Sequence, residues 1–352
     1  MKKHLTWFLF LGYFGIFVVI GLIFYFGYLD SYLSSNASSI ELETTSKANI
    51  YFSQNNSLFR VNPNFLTAGA TIDSSQRLQS TGLSESLSVS ADGTKISFSS
   101  ISKLNLSEVR LVNLDSNQAD IIQPTAAGFS SFSDPKFSPD SAKLAFLASG
   151  PSSDTIFLKD LQSEVVTNLT RENSTKIADY SFNQAGTKLV YCSQGATENS
   201  CQIIDLLSLK VMGTFKANAS QIFWDRTALI YFLSTDEAAN IFACSEQGVS
   251  SPITAVSSPK KITQFDLDSK GTTLAYEIKD GANTDIYTSK IDGSNIVQLT
   301  TDQVSFQPVI SPDGKQVAYL KSDGVYKIST EDKTIAKLLN LSSPIDHLLA
   351  WR

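Results

Sequence analysis

Beyond residue 48, apolar positions follow a period of two, in short segments separated by turns. The clearest segment reads Ser-Pro-Asp-Gly-Lys at residues 311–315 and continues into Val317-Ala318-Tyr319. Its first four residues have the order that favours a type I turn, because proline presets φ and glycine accepts a positive φ. Val317 and Tyr319 then share one face of a strand. The segment predicts two short β-strands joined by a tight turn.

This arrangement recurs roughly every 40–48 residues, the spacing of the four-stranded blades of a β-propeller. An apolar residue stands before each turn, at Val89, Phe137, Phe182, Trp224, Leu267 and Ile310. An aromatic residue follows in the next strand, at Phe98, Phe146, Tyr191, Tyr231, Tyr276 and Tyr319. These two columns predict one inner strand and one second strand in each blade.

The two chain ends of the repeat complement each other. Trp351 continues the first column but has no second strand after it, while Phe52 continues the second column but has no first strand before it. Pairing of residues 348–351 with residues 50–52 would close the ring and remove two exposed sheet edges. The sequence therefore predicts an all-β, seven-bladed propeller over residues 49–352, with six blades as the alternative.

The phrase Pro-x-x-Ser-Pro-Asp-Gly-Lys at residues 308–315, with its following strands and a closing Leu-Thr, resembles the WD-repeat-like Asp motif of the TolB-type propeller family. The resemblance covers residues 49–352 and implies a propeller fold. Similar blades occur in prolyl-oligopeptidase-type peptidases, whose Ser-Asp-His machinery lies in a separate hydrolase domain. The sequence contains no Gly-x-Ser-x-Gly motif, so the resemblance implies the fold without the peptidase activity.

An uncharged apolar run at residues 5–29 precedes the repeat. As a helix it would span about 37 Å, enough to cross a hydrocarbon core of about 30 Å. Lys2 and Lys3 precede the run and Asp30 follows it, which by the positive-inside rule predicts a cytoplasmic N-terminus. Residues 1–29 are therefore predicted to form a cytoplasmic tip and a transmembrane anchor.

Residues 30–48 are rich in serine, threonine and asparagine, which indicates a flexible stalk. The propeller is then expected outside the cytoplasm, in a periplasm or at a cell surface. A cleaved signal peptide, with Ser35-Asn36-Ala37 as the cleavage site, is the alternative. The apolar run is longer than the 7–15 residues of a typical signal-peptide core, which favours the anchor.

The formal charge of −6 gives no reason to expect nucleic-acid binding. Two histidines and three cysteines do not supply a zinc-type site, so we expect no metal and no cofactor. Cys192 and Cys201 flank a predicted turn symmetrically, and an extracytoplasmic location would permit a disulfide between them. Two reduced thiols are the alternative, and Cys244 has no evident partner.

A polar ring is predicted at the mouth of the central channel. Its members lie three positions before the inner-strand column, at Ser86, Asp134, Asp179, Gln221, Gln264 and Gln307, with Leu348 as the seventh. These acceptors and carboxylates would suit a cationic or amide-rich partner. The alternative is a set of ordinary polar strand ends wetted by channel water. If the ring binds a partner, replacing Asp134 and Asp179 with alanine is expected to weaken capture and leave the melting temperature nearly unchanged.

The functional prediction is a membrane-anchored, non-enzymatic scaffold that binds an envelope or extracellular protein, peptide or glycan. No catalytic residue is assigned, because no recognisable catalytic set occurs in the sequence. The alternative is a propeller lyase or hydrolase that uses carboxylates at the channel mouth as acid and base.

Overall fold

The alternating segments form antiparallel strands that group into seven four-stranded sheets, the blades of a propeller. The computed structural model describes residues 48–55, 57–63, 76–79, 83–101, 107–116, 118–122, 128–151, 153–170, 176–195, 199–225, 228–237, 239–340 and 345–352. The predicted anchor at residues 5–29 and the stalk before residue 48 lie outside them. In the described part of the chain, no helix is long and apolar enough to cross a membrane.

Each blade runs from an inner strand at the channel to an outer strand at the rim. Blade 1 contains β1 (Ile50–Gln54), β2 (Ser57–Val61) and β3 (Gln76–Gln79). Blade 2 contains β4 (Leu83–Val89), β5 (Lys95–Ile101), β6 (Ser107–Asn113) and β7 (Ala119–Ile122). Blade 3 contains β8 (Ser131–Phe137), β9 (Lys143–Ser149), β10 (Asp154–Asp160) and β11 (Val166–Asn168). Blade 4 contains β12 (Lys176–Phe182), β13 (Lys188–Gln194), β14 (Ser200–Asp205) and β15 (Lys210–Lys216).

The remaining blades follow the same order. Blade 5 contains β16 (Ala219–Trp224), β17 (Ile230–Ser234), β18 (Ile241–Cys244) and β19 (Ser250–Pro252). Blade 6 contains β20 (Lys261–Leu267), β21 (Thr273–Asp280), β22 (Asn283–Lys290) and β23 (Val297–Gln298). Blade 7 contains β24 (Phe306–Ile310), β25 (Gln316–Lys321), β26 (Gly324–Ser329) and β27 (Ile335–Asn340). The last strand, β28 (His347–Trp351), is the inner strand of blade 1.

Closure of the ring is confirmed as predicted. Ile50 on β1 pairs with Trp351 on β28, and Tyr51 pairs with Ala350. Trp351 is buried against the core between blades 7 and 1. The count is therefore seven blades, and the six-bladed alternative is wrong.

The turns after the inner strands have the predicted chemistry. In blade 7 the Ser311 hydroxyl donates to Asp313 Oδ1 at 2.7 Å, and the Lys315 amide donates to the same oxygen at 3.1 Å. Gly314 has a φ of +76°, which a residue with a Cβ rarely adopts. In blade 2 the equivalent hydroxyl of Ser90 lowers the pKa of Asp92 to about 2. We call this end of the propeller the turn end, and the opposite end, where the chain enters each inner strand, the entry end.

The aromatic column of the second strands packs against aromatic residues of the third strands in five blades. The stacked pairs are Phe52–Phe59, Phe146–Phe157, Phe232–Phe242, Tyr276–Tyr287 and Tyr319–Tyr326. Blade 5 corrects the prediction, because Phe232 occupies the position that we assigned to Tyr231. The turn between Trp224 and its pairing partner Ile230 is one residue shorter than the equivalent turn of blade 7, which shifts the register of the following strand.

Two outer strands are shorter than the sequence predicts. Period-two alternation predicts strands at residues 296–300 and 165–170, whereas only Val297–Gln298 and Val166–Asn168 form strands. In both cases the closing Leu-Thr makes different contacts. The hydroxyl of Thr300 accepts the Ile286 amide at 2.9 Å, and Thr170 accepts the Ile156 amide at the same distance. A threonine side chain thus replaces one backbone bond of the ladder.

Candidate functional site

A β-bulge interrupts the inner strand of every blade at the same level. In blades 2 to 7 the register between the inner and second strands shifts between two inner-strand residues: Leu83/Leu87, Ser133/Lys136, Ile177/Asp179, Ala219/Gln221, Ile262/Gln264 and Phe306/Val309. In blade 1 the register shifts opposite Tyr51 and Phe52 of the second strand. All six polar members of the predicted ring lie within or next to a bulge. Two of them, Asp134 (φ +48°) and Gln307 (φ +51°), have a left-handed backbone. Since bulges redirect side chains, the shared bulge gives these six residues equivalent places in their blades.

Four of the ring residues form hydrogen bonds with the following blade. Ser86 Oγ accepts the Asp134 amide at 3.2 Å. Asp179 Oδ2 accepts the Ile222 amide at 2.6 Å. The Gln221 side chain donates to the Phe265 carbonyl at 2.8 Å and accepts the Phe265 amide at 3.2 Å, and Gln307 Oε1 accepts the Leu348 amide at 2.9 Å. These side chains therefore connect neighbouring blades, and their role in binding a partner stays a prediction.

The other two polar members of the ring, Asp134 and Gln264, have side chains that form no such connection to a backbone amide in the described chain. Asp134 belongs to a charged cluster between blades 3 and 4, and Gln264 lines a cleft between blades 6 and 7. Leu348, the seventh position, is buried and apolar. Four ring residues thus connect neighbouring blades, whereas the side chains of Asp134 and Gln264 lie at two other sites.

The charged cluster is centred on Lys136 of β8, which the sequence analysis did not single out. Its Nζ atom contacts Asp179 Oδ1 and lies 3.6 Å from Asp134 Oδ2. It donates to the Tyr180 carbonyl at 2.8 Å and lies 4.7 Å from the centre of the Tyr180 ring. The Tyr180 hydroxyl in turn donates to the Asp134 carbonyl. The sequence analysis placed Asp134 and Asp179 in the same ring, but only the three-dimensional structure reveals the lysine between them.

Burial and the neighbouring charges shift the pKa values of three groups in this cluster, Asp134, Lys136 and Tyr180. Burial raises the pKa of Asp134 to about 6, and the Asp179 carboxylate adds to this shift while the Lys136 ammonium opposes it. Burial also disfavours the charge of Lys136, but the two carboxylates outweigh it and raise the pKa of the lysine. Burial and the same carboxylates raise the pKa of Tyr180 well above its ordinary value. The cluster can therefore gain or lose a proton at Asp134 close to neutral pH.

The cleft between blades 6 and 7 is open at the entry end and has a volume of about 410 Å³. Seven residues line it: Thr263, Gln264, Glu277, Lys279, Thr284, Phe306 and Gln307. Glu277 on β21 is buried, and its two carboxylate oxygens accept the Thr263 hydroxyl at 2.6 Å and the Gln307 amide at 2.8 Å. Lys279 is exposed at the edge. Ring residues Gln264 and Gln307 thus meet at a cavity of the size that small ligands occupy.

One of the three cysteines, Cys192, lies opposite Asp179 of the charged cluster in the ladder between β12 and β13. Cys192 of β13 and Cys201 of β14 are directly opposite in the ladder and form a disulfide. Cys244 is a free, buried thiol, and burial raises its pKa to about 11. Among the described residues, no group of three or more histidine, cysteine, aspartate or glutamate side chains could hold a metal ion.

No protein-family model and no curated protein matches this sequence. Solved structures do match the fold. TolB from Acinetobacter baumannii superposes with a TM-score of 0.50 at 19% identity, over 70% of this chain and 62% of that one. An oligogalacturonate lyase from Vibrio parahaemolyticus gives 0.59 at 14% identity, over 84% of both chains. A prolyl endopeptidase gives 0.61 at 14% identity, over 85% of this chain and 51% of the other.

These similarities support a TolB-like propeller fold. At such identities they extend to the arrangement of the blades and not to a site, since one fold supports many chemistries. The features that bear on function are therefore the two sites at the entry end.

Proposed function

We propose that this chain is a membrane-anchored extracytoplasmic propeller that binds a protein or peptide partner at the entry end of its channel. The observation that carries the proposal is the open cleft between blades 6 and 7, where the side-chain amide of Gln264 has no hydrogen-bond partner among the described residues. A polar group next to an open cavity has free hydrogen-bonding capacity for a ligand. The apolar run at residues 5–29 supports the anchored location.

The charged cluster is a second reason to propose the entry end as the binding surface. Its two carboxylates and one ammonium leave a net negative charge beside the channel, which would attract a cationic group of a partner. The side chain of Asp134 is 31% exposed, compared with 11% for that of Asp179. Asp134 is therefore the carboxylate that a partner would contact.

A photo-crosslinking amino acid at position 264 tests the proposal in intact cells. We expect a discrete crosslinked adduct from position 264, because it lines the cleft, and none from position 292, which lies in an exposed loop at the turn end. Asp134→Ala should reduce the adduct, whereas Asp120→Ala, an exposed carboxylate on the outer strand β7, should not. Equal adducts from positions 264 and 292 would contradict the proposal.

Topology is tested separately by adding protease to intact cells. An extracytoplasmic propeller is cleaved while residues 1–29 remain protected. Protection of the entire chain would place the propeller in the cytoplasm and remove the envelope location from the proposal.

A propeller lyase or hydrolase is the second candidate, and one observation favours it. The pKa of Asp134, raised by burial to about 6, lets one carboxyl of the cluster donate a proton while its neighbour Asp179 contacts Lys136. Incubation with pectic oligosaccharides and with peptides, followed by product analysis, tests this candidate. Turnover that Asp134→Asn abolishes would favour the enzyme over the scaffold.

A further inference from the structure

Blade 6 differs from the other blades at two positions of its second strand. The residue after the core aromatic is small or apolar elsewhere, at Ser53, Ser99, Leu147, Cys192, Leu233 and Leu320, but it is Glu277 in blade 6. The residue two positions further is uncharged elsewhere, at Asn55, Ile101, Ser149, Gln194, Thr235 and Ser322, but it is Lys279 in blade 6. The fold does not need a charge at either position, because six blades form without one.

Glu277 is a buried carboxylate without a cationic partner among the described residues. It is 7% exposed and accepts hydrogen bonds from the Thr263 hydroxyl and the Gln307 amide. A carboxylate has about four acceptor positions, so capacity remains on the side that faces the cleft. A buried charge of this kind is stabilised strongly by a cation that can reach it.

Lys279 supplies the opposite charge at the edge of the cleft. It stands directly opposite Lys261 in the ladder between β20 and β21. Like charges in facing positions repel each other, and neither lysine forms an ion pair within the described chain. Lys279 alternates in phase with Glu277 and so extends from the same face of β21, toward blade 7. The cleft therefore has a negative floor and a positive edge.

The two strand positions that carry these charges are about as far apart along the backbone as the ends of a short peptide. Residues two apart on one strand are separated by about 6.6 Å, and the ends of an extended two-residue chain are about 7 Å apart. In the same cleft, the partly buried ring of Phe306 offers an apolar surface and the side-chain amide of Gln264 offers a donor and an acceptor. The volume of about 410 Å³ lies within the range of small-molecule sites.

From this arrangement we infer that the cleft between blades 6 and 7 binds a zwitterionic peptide of about two residues, with its ammonium on Glu277 and its carboxylate on Lys279. This inference rests on the proposed binding role of the entry end and specifies the ligand of that site. The two charges of the peptide would give Glu277 and Lys279 the ionic partners that they lack among the described residues.

Isothermal titration of the purified full-length protein with four forms of one peptide tests the inference. The probes are Ala-Phe, N-acetyl-Ala-Phe, Ala-Phe-amide and the doubly blocked N-acetyl-Ala-Phe-amide. We expect Ala-Phe to bind at least tenfold more tightly than either singly blocked form, since each block removes one charge. Equal affinities across the four probes, or no binding by any of them, would overturn the inference.

Two variants assign each charge to its residue. Lys279→Met should abolish the preference for the free carboxylate and keep the preference for the free amine, and Glu277→Gln should do the reverse. Exposed residues provide matched controls: Lys270→Met and Glu331→Gln should leave all four affinities unchanged. Because Lys279 is exposed, its variant tests the inference even if Glu277→Gln fails to fold.

The results separate this inference from the proposed function. If the crosslink from position 264 is present but the peptide series shows no preference for free termini, the entry end binds a partner of another chemistry. If the peptide series behaves as expected and no protein adduct forms, the site binds small peptides and the protein partner in the proposed function is wrong.

Discussion

Replacing Trp351 with alanine tests whether ring closure by β28 holds the propeller together. Trp351 is 3% exposed and packs in the same core as Ile50, Val309 and Leu338, which come from blades 1 and 7. A buried tryptophan removes about 200 Å² from water, which at about 25 cal/mol per Å² corresponds to about 5 kcal/mol as an upper value. Comparable large-to-small substitutions cost about 3–5 kcal/mol. We therefore expect the free energy of unfolding to fall by about 3–5 kcal/mol.

Urea denaturation of the full-length protein in detergent, followed by circular dichroism in the β-sheet band, measures this change. Trp224→Ala is the matched control, since Trp224 holds the same column position in blade 5 and is also buried, but lies far from the closure. Both variants should lose similar stability. Only Trp351→Ala should also expose the amides of β1 to hydrogen exchange, because β28 pairs with that strand.

If Trp351→Ala lowers the free energy of unfolding by less than about 1 kcal/mol, the packing argument is refuted, because replacing a buried tryptophan with alanine ordinarily costs several times more. Unchanged protection of the β1 amides would refute the closure argument even if stability falls.

Three further predictions follow from the entry end and the disulfide. Asp179→Ala should lower the free energy of unfolding by about 2–3 kcal/mol, because the Ile222 amide loses its acceptor in a buried setting; urea denaturation measures it. The raised pKa of Asp134 means that the folded state binds its proton more tightly than the unfolded state, so its contribution to stability is present below about pH 4 and lost as pH rises to about 6. Asp134→Asn should therefore gain melting temperature relative to the parent between pH 4 and pH 7. Replacing Cys192 and Cys201 with serine should cost about 2–3 kcal/mol from the entropy of a loop with a sequence separation of 9.

Each of these has a contradicting outcome. For Asp179, a loss no larger than that of the exposed control Asp120→Ala would show that the bond to Ile222 contributes nothing. For Asp134, a difference between variant and parent that is constant over the pH range would mean that the carboxyl does not titrate there. For the cysteine pair, melting temperatures that coincide with and without a reducing agent would remove the contribution of the disulfide.

The structure changes one expectation about the ring. The sequence alone suggested that Asp134 and Asp179 could both be replaced without loss of stability. Asp179 accepts hydrogen bonds from Lys136 and from the Ile222 amide, so its replacement acts on the fold. Asp134, which is more exposed, is the better single substitution for a binding test.

Local chemistry explains why the blades and their closure could be predicted. A turn such as the one at residues 311–314 depends on neighbours in the sequence, and alternation decides which face of a strand is buried. Tyr231 shows the limit of that reasoning. Its aromatic side chain fits the column, but a turn shortened by one residue places Phe232 there instead. Only the pairing of Trp224 with Ile230 reveals the shift.

The candidate sites depended on contacts that no local pattern encodes. A comparison of equivalent blade positions would have marked Glu277 and Lys279 as the charged exceptions, but not the cleft they share with blade 7. Lys136 reaches Asp179 from a neighbouring blade, 43 residues away in the sequence.

By itself, the sequence determined where most strands and tight turns lie, favoured seven blades over six and predicted the pairing of the two chain ends, because each of these follows from period-two alternation and turn-forming residues. The tertiary structure alone decided which polar side chains connect neighbouring blades and which remain available to a ligand. The bulges of the inner strands redirect those side chains, and the gap between adjacent sheets sets their partners. Both are properties of the packed ring, so they arise only when distant blades meet.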